Sequence, residues 1–174
     1  MTKLSNSKKG FTLLEILLVV GIIAILAGIV ILAINPTKQL GDTRNAQRRS
    51  DVLTLLNAVY QYSIDHNGTL PASTTLQTFS STINADCVFA SNKEIGNNGT
   101  GSYIDLYSTL VGGAASSTYL VAIPHDPLAT SSADGAGSGY IIGKTASGRV
   151  TVCAPLSLGE GNITSGGTMI SVTR

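Results

Sequence analysis

Phe11 to Ile34 is a run of 24 residues whose hydrophobicity is interrupted only by Thr12 and Glu15. At 1.5 Å rise per residue, roughly 20 apolar residues cross a hydrocarbon core of about 30 Å. Ile16 to Ile34 alone supplies 19 uncharged residues, so the pattern predicts a membrane-spanning helix. Asn35-Pro36 then interrupts it, because proline removes a donor and clashes with the preceding turn. Gly41 weakens helix in the same stretch. Beyond it, Val52, Leu55, Leu56, Val59, Tyr60 and Ser63 fall near helical spacing, while Arg44, Arg48, Arg49, Asp51 and Asp65 lie outside that stripe. Asn67-Gly68 and Pro71 supply the stop. The expectation is one helix from about Phe11 to His66, softened between Asn35 and Gly41, apolar all round in its first half and amphipathic in its second.

From about Leu70 the chain reads as loops and short strands. Gly139–Lys144 and Arg149–Ala154, on either side of Ala146-Ser147-Gly148, predict a β-hairpin. Thr168–Thr173 is the expected last strand, and Asp86–Ala90 a further one. Tyr103–Val111 and Ser117–Ile123 fit either a short helix or a strand, whereas Gly112–Ser117 and Ala129–Ser138 read as small-residue loops. Four segments follow: 1–10, a basic leader; 11–35, the hydrophobic helix; 36–67, its amphipathic continuation; and 68–174, a β-rich head. The fold class is α+β, a long helix on a small antiparallel sheet.

Charge adds topology. Lys3, Lys8 and Lys9 precede the apolar run and favour a cytoplasmic N-terminus, which leaves the head outside the cytoplasm. A formal net charge of +1 gives no footprint for nucleic acid as a main partner. A cleaved secretory signal would have a shorter apolar region closed by small residues, and neither feature is present. An uncleaved signal anchor fits the hydropathy as well as any specialised helix does.

The junction Lys8-Lys9-Gly10-Phe11-Thr12-Leu13-Leu14-Glu15, continued by Ile16-Leu17-Leu18-Val19-Val20-Gly21, adds a sharper signal. It resembles the class III leader and N-terminal helix of type IV pilins and pseudopilins. The resemblance implies cleavage between Gly10 and Phe11 by a prepilin peptidase, which also methylates the new Phe11 amine. Glu15 would then pair with that amine, on the same or a neighbouring subunit, and set the register of assembly. An acid in a membrane helix costs about 2.5–3.5 kcal/mol at the bilayer centre and less near an interface, so it calls for a partner. Snorkelling to the headgroups is the alternative for Glu15. Further implied partners are an assembly platform, its ATPase machinery and other copies of the chain in a helical filament. The implied fold is the type IV pilin fold. Since the membrane half lacks a proline, helix flexibility is expected at Pro36 to Gly41. Ile123-Pro124-His125-Asp126-Pro127, followed by Gly139-Tyr140, is also similar to part of some pilin heads.

Cys87 and Cys153 are the only cysteines, and outside the cytoplasm they are expected to form a disulfide. His66 and His125 lack the companions that a metal site or a general base needs, and they read as parts of a helix end and a turn. Asp126, Asp134 and Glu160 lack calcium-loop spacing and read as solvated turn acids. The triplets at Asn67, Asn98 and Asn162 match a glycosylation acceptor pattern, a match that is usually chance in a prokaryotic filament subunit. No catalytic, cofactor or metal site is expected. The function that emerges is a structural pilus subunit, first in the cytoplasmic membrane and then at the surface. The alternatives are a pseudopilin of a secretion or competence system, placed in the periplasm, and an anchored binding protein that never polymerises.

Overall fold

The computed structural model describes residues 10–71, 76–79, 86–87, 94–96, 103–112, 119–129, 137–160 and 169–174. Lys3, Lys8, Lys9, Asn98, Asp134 and Asn162 lie outside them, as do residues 88–90, 113–118 and 130–136. Two compact units divide the chain, Met1–Gln39 and Leu40–Arg174.

Helix α1 spans Leu13–Ala33 and is apolar on every side, so none of its residues is buried within the chain. Its start is set by Thr12, which is extended and accepts the Glu15 backbone N–H at 3.2 Å. That bond satisfies one of the amides left free at a helix N-terminus.

Helix α2 spans Pro36–Asp65. The expectation of one continuous helix is therefore corrected: the break falls at Ile34–Asn35, and Pro36 opens α2 instead of bending it. The first helical position needs no backbone donor, so proline suits it. Asn35 caps the new start, its Oδ1 accepting from the Thr37 hydroxyl at 2.7 Å and the Lys38 N–H at 3.3 Å. At the other end Asn67 and Gly68 both take positive φ, 53° and 84°, and the Gly68 N–H donates back to the Ser63 carbonyl at 2.8 Å. This left-handed exit is the stop that Asn67-Gly68 predicts.

Among the described residues the head sheet has six strands, β1 (Thr78–Phe79), β2 (Glu94–Gly96), β3 (Ile104–Asp105), β4 (Gly137–Thr145), β5 (Val150–Ala154) and β6 (Ile170–Thr173). The order is β3-β2-β4-β5-β6, with β1 also on β4. The predicted hairpin is β4–β5, with Ile142 opposite Val152 and Lys144 opposite Val150, and the predicted last strand is β6. A wholly antiparallel sheet was expected. The sheet is instead mixed, because β1 joins β4 and β3 joins β2 in parallel. Strand β4 is long enough to take β2 along Gly137–Ile141 and β1 at Lys144–Thr145. Asp86 and Cys87 are not in a strand, and residues 119–123 form neither strand nor helix. The stretch Tyr103–Val111, by contrast, holds both β3 and most of a π-helical turn, Tyr107–Gly112.

Alternation along the hairpin makes two cores. Tyr140, Ile142, Val150, Val152 and Ala154 pack with Val52, Leu55, Leu56, Ala58 and Val59 of α2. Their neighbours Ile141 and Cys153 turn to the other face and join Phe79, Cys87 and Met169. Cys87 and Cys153 form a disulfide there, with Cα atoms 6.3 Å apart, and both are fully buried.

Candidate functional site

The N-terminal junction is open. Gly10 and Phe11 are exposed, Phe11 at 79%, and Glu15 lies in the first turn of α1. A carboxylate there meets the positive end of the helix dipole, so its position is favourable before any partner arrives. Because Thr12 occupies the cap, Phe11 lies outside the helix.

Within the head, α2 carries a second constellation. Its buried face runs Gly41, Asn45, Arg48, Val52, Leu55, Leu56 and Val59, so the 3–4 spacing of the apolar stripe continues N-terminally in polar residues. Arg48 is fully buried and makes a bidentate pair with Asp126, from Nε to Oδ2 at 2.6 Å and from Nη2 to Oδ1 at 2.9 Å. Its Nη1 donates to Glu160 Oε1 and Asn45 Oδ1, each at 2.9 Å. Arg44 grips the same Glu160 from outside at 2.6 and 2.7 Å. Gly41 lies under that carboxylate, since a Cβ placed there would lie 3.2 Å from Glu160 Oε2. One turn further along, Asp51 accepts from the buried Tyr140 hydroxyl at 2.7 Å. Asp126 also takes the Leu128 N–H at 2.8 Å, and Gly139 (φ +80°) passes so close that a Cβ would lie 2.7 Å from the Asp126 Cβ.

The electrostatics follow from the contacts. Hydrogen bonds from Arg44, opposed by burial and reinforced by Arg48, hold the Glu160 carboxyl down at about 2 against an ordinary 4.5. Burial works to lower the pKa of Arg48, but its bonds to Asp126 and Glu160 outweigh that and raise it. Burial, then the bond to Asp51, push the Tyr140 hydroxyl up. Asp126 and Glu160 are therefore not the solvated turn acids expected, and Arg48 is not a solvated helix charge. Each acid is neutralised by a guanidinium. What the cluster does chemically is hold: it fixes the first turns of α2 to the loop at Asp126 and to the segment ending at Glu160.

A family model described as Prokaryotic N-terminal methylation motif matches residues 5–31. The chain carries the class III leader of type IV pilins and pseudopilins. That leader implies processing by prepilin peptidase and anchoring in a membrane, and it heads structural subunits rather than enzymes. Helix α1 supplies the anchor, being the one described helix long and apolar enough to cross a membrane. Behind the leader, the long helix and mixed sheet give the chain a pilin-like α+β architecture. No curated protein and no solved structure matches the chain.

The remaining sequence candidates stay apart from this cluster. His66 stacks on Tyr62, with ring centroids 3.8 Å apart, and its Nδ1 meets the Tyr62 carbonyl oxygen at 2.9 Å. Tyr119 meets Tyr62 edge-on and donates its hydroxyl to Asp65 at 2.9 Å. His125 is exposed beside the buried Asp126. Arg48 was missed because its charge set it outside the stripe. Extending the Val52–Leu55–Val59 spacing backward by four and three residues reaches Arg48, Asn45 and Gly41.

Proposed function

We propose that this chain is a structural subunit of a type IV pilus, cleaved between Gly10 and Phe11, N-methylated at Phe11 and polymerised into a helical filament. The observation that carries the reading is α1, a leader-headed helix that buries none of its own residues and holds one carboxylate. Such a helix needs lipid or other helices on every side. Lipid tails are as apolar as leucine, so leaving the membrane for a bundle gains little from hydrophobicity itself. Extraction therefore falls to an ATP-driven assembly platform, and register falls to polar contacts. Glu15 against the Phe11 amine supplies such a contact, because opposite charges attract more strongly in a low dielectric. Before assembly the chain spans the cytoplasmic membrane once, with its N-terminus inside. Retention of Glu15 favours a body subunit over a tip subunit.

The test is an intact mass and N-terminal fragment spectrum of the chain in sheared cell-surface material. The expected species begins at methylated Phe11. A chain still beginning at Met1 and confined to membranes, in cells with an active prepilin peptidase, overturns the reading. A processed chain absent from sheared material identifies a short pseudopilus instead.

A further inference from the structure

Two patches on the head surface are not explained by the packing of the head itself. The first is a knob. Val121 is 97% exposed, the most open of the large apolar side chains among the described residues. It stands on a bend that is held in place, since the Tyr119 and Leu120 N–H groups both donate to the Leu110 carbonyl, at 2.8 and 3.0 Å. Tyr119 also donates its hydroxyl to Asp65, the last residue of α2, at 2.9 Å. A carboxylate there meets the negative end of the helix dipole, where a cation is the favourable neighbour. The second patch is a groove. Leu53, 47% exposed, and Arg49 border a space of about 330 Å³ completed by Met169, Ile170 and Val172. Strand β6 ends the sheet, so among the described residues no further strand covers its outer edge. No ion pair joins Arg49 or Asp65 to another described residue.

We infer that the two patches join neighbouring copies of the chain: Val121 of one head enters the groove of another, and Asp65 of the first meets Arg49 of the second. The inference rests on the filament reading above and deepens it. The chemistry of the groove asks for an apolar side chain with an acid beside it. The knob presents that pair, and its acid lacks the cation that the rim of the groove supplies. Opposite charges at such a rim steer the approach and fix the register, while burial of Val121 and Leu53 supplies the apolar contact.

The placement of the patches suits a contact that repeats. Asp65 lies sixteen residues beyond Arg49 on α2. At about 100° and 1.5 Å per residue, that sets it about 160° round the helix and about 24 Å along it. Knob and groove therefore occupy different flanks of the head. A contact between two different patches is heterologous, so each copy keeps one knob or one groove free for the next. A third copy then docks on the far flank of the second, clear of the first. The axial offset keeps the series from closing into a ring, which leaves a helix as its outcome.

Cross-linking tests the contact in cells making the full chain. L53C/V121C oxidised in filaments is expected to give a covalent ladder that runs beyond the dimer, while L53C alone and V121C alone stay monomeric. Charge reversal is the second measurement. R49D and D65R are each expected to lower the amount in sheared filaments by about tenfold, because like charges then meet. The swap R49D/D65R restores the pair and is expected to recover wild-type yield within about twofold. Y119F removes the hydroxyl bond to Asp65 without changing any charge and is expected to keep the yield. A cation suits the end of α2, so D65R leaves the head's melting temperature no lower than wild type. A double-cysteine chain that stays monomeric or stops at the dimer overturns the contact. So do single reversals that assemble normally, or a swap that fails to recover, and in each case wild-type filaments still form and the filament reading stands. A wild-type chain that never leaves the membrane overturns the filament reading, and the contact falls with it.

Discussion

Arg48→Ala is the sharpest perturbation of the head. It removes the bidentate pair to Asp126 and the bonds to Glu160 and Asn45 in one step. Glu160 keeps Arg44, and Asp126 keeps only the Leu128 N–H among the described groups. The side chains of Arg48 and Asp126 are both fully buried, so water cannot readily replace what is lost. Removing one partner of a buried pair costs about 3–5 kcal/mol, most of it the burden of the stranded charge. Against a typical domain stability of roughly 5–15 kcal/mol, that is about a fifth or more. For a head of this size the expected fall in melting temperature is roughly 10–15 °C. Arg48→Lys keeps the charge but not the planar fork, so it should fall between Ala and wild type. The assay is thermal and urea unfolding of the processed chain in detergent, followed by circular dichroism. A loss below about 1 kcal/mol for Arg48→Ala would show that the cluster is no more than a surface ion pair, and the reasoning from burial would fail.

Four further outcomes are expected. Replacing both Cys87 and Cys153 by alanine opens the loop between residues 66 apart, and the chain-entropy argument gives a loss of roughly 4 kcal/mol, read by unfolding with and without reductant. Glu160 binds its proton more weakly folded than unfolded, so its contribution is complete above about pH 4.5 and is lost as pH falls through about 2; urea midpoints across that window, compared with Glu160→Gln, should show the difference. Gly139→Ala adds a Cβ against Asp126 at a positive φ and should destabilise the head by about 1–3 kcal/mol in the same unfolding assay. Glu15→Ala should leave the head's melting temperature and leader cleavage unchanged while sheared filament yield falls; normal yield would remove Glu15 from assembly.

Legibility followed the range of the interactions. Helix α1 and the apolar part of α2 depend on local spacing, and the hairpin on a turn flanked by alternation, so each was readable. The break at Asn35-Pro36 was also written locally, since an Asn before a Pro is a cap followed by a first helical residue. Reading that proline as a kink gave weight to the hydrogen bond it lacks, when its position required none. The ionic cluster is different. Arg48 finds Asp126 at a separation of 78 residues and Glu160 at 112, and no local pattern announces such pairs. Strands β1 and β2 escaped because two or three residues cannot show alternation. Among the candidate segments, the leader was legible because its motif is contiguous, and it is the stretch that the family model matches, residues 5–31.

The polar beginning of α2 has a physical logic in a chain whose leader implies anchoring in a membrane. Had the apolar stripe of Val52–Val59 continued back through Arg48, Asn45 and Gly41, it would have joined the end of α1 as one long hydrophobic surface. Where such a run stops in the bilayer is poorly defined, since tilt and thinning absorb a few ångströms of mismatch cheaply. Lys38, Asp42, Arg44 and Arg48 interrupt such a run, because each charge costs about 2.5–3.5 kcal/mol at the centre of a bilayer. The same choice leaves α2 with a charged face that must still be buried in the head. Asp126 and Glu160 resolve that conflict by accepting the arginines. A buried ion pair is a weak source of net stability compared with an apolar contact of the same volume. Its value here is that Arg44 and Arg48 each have one defined place in the folded head.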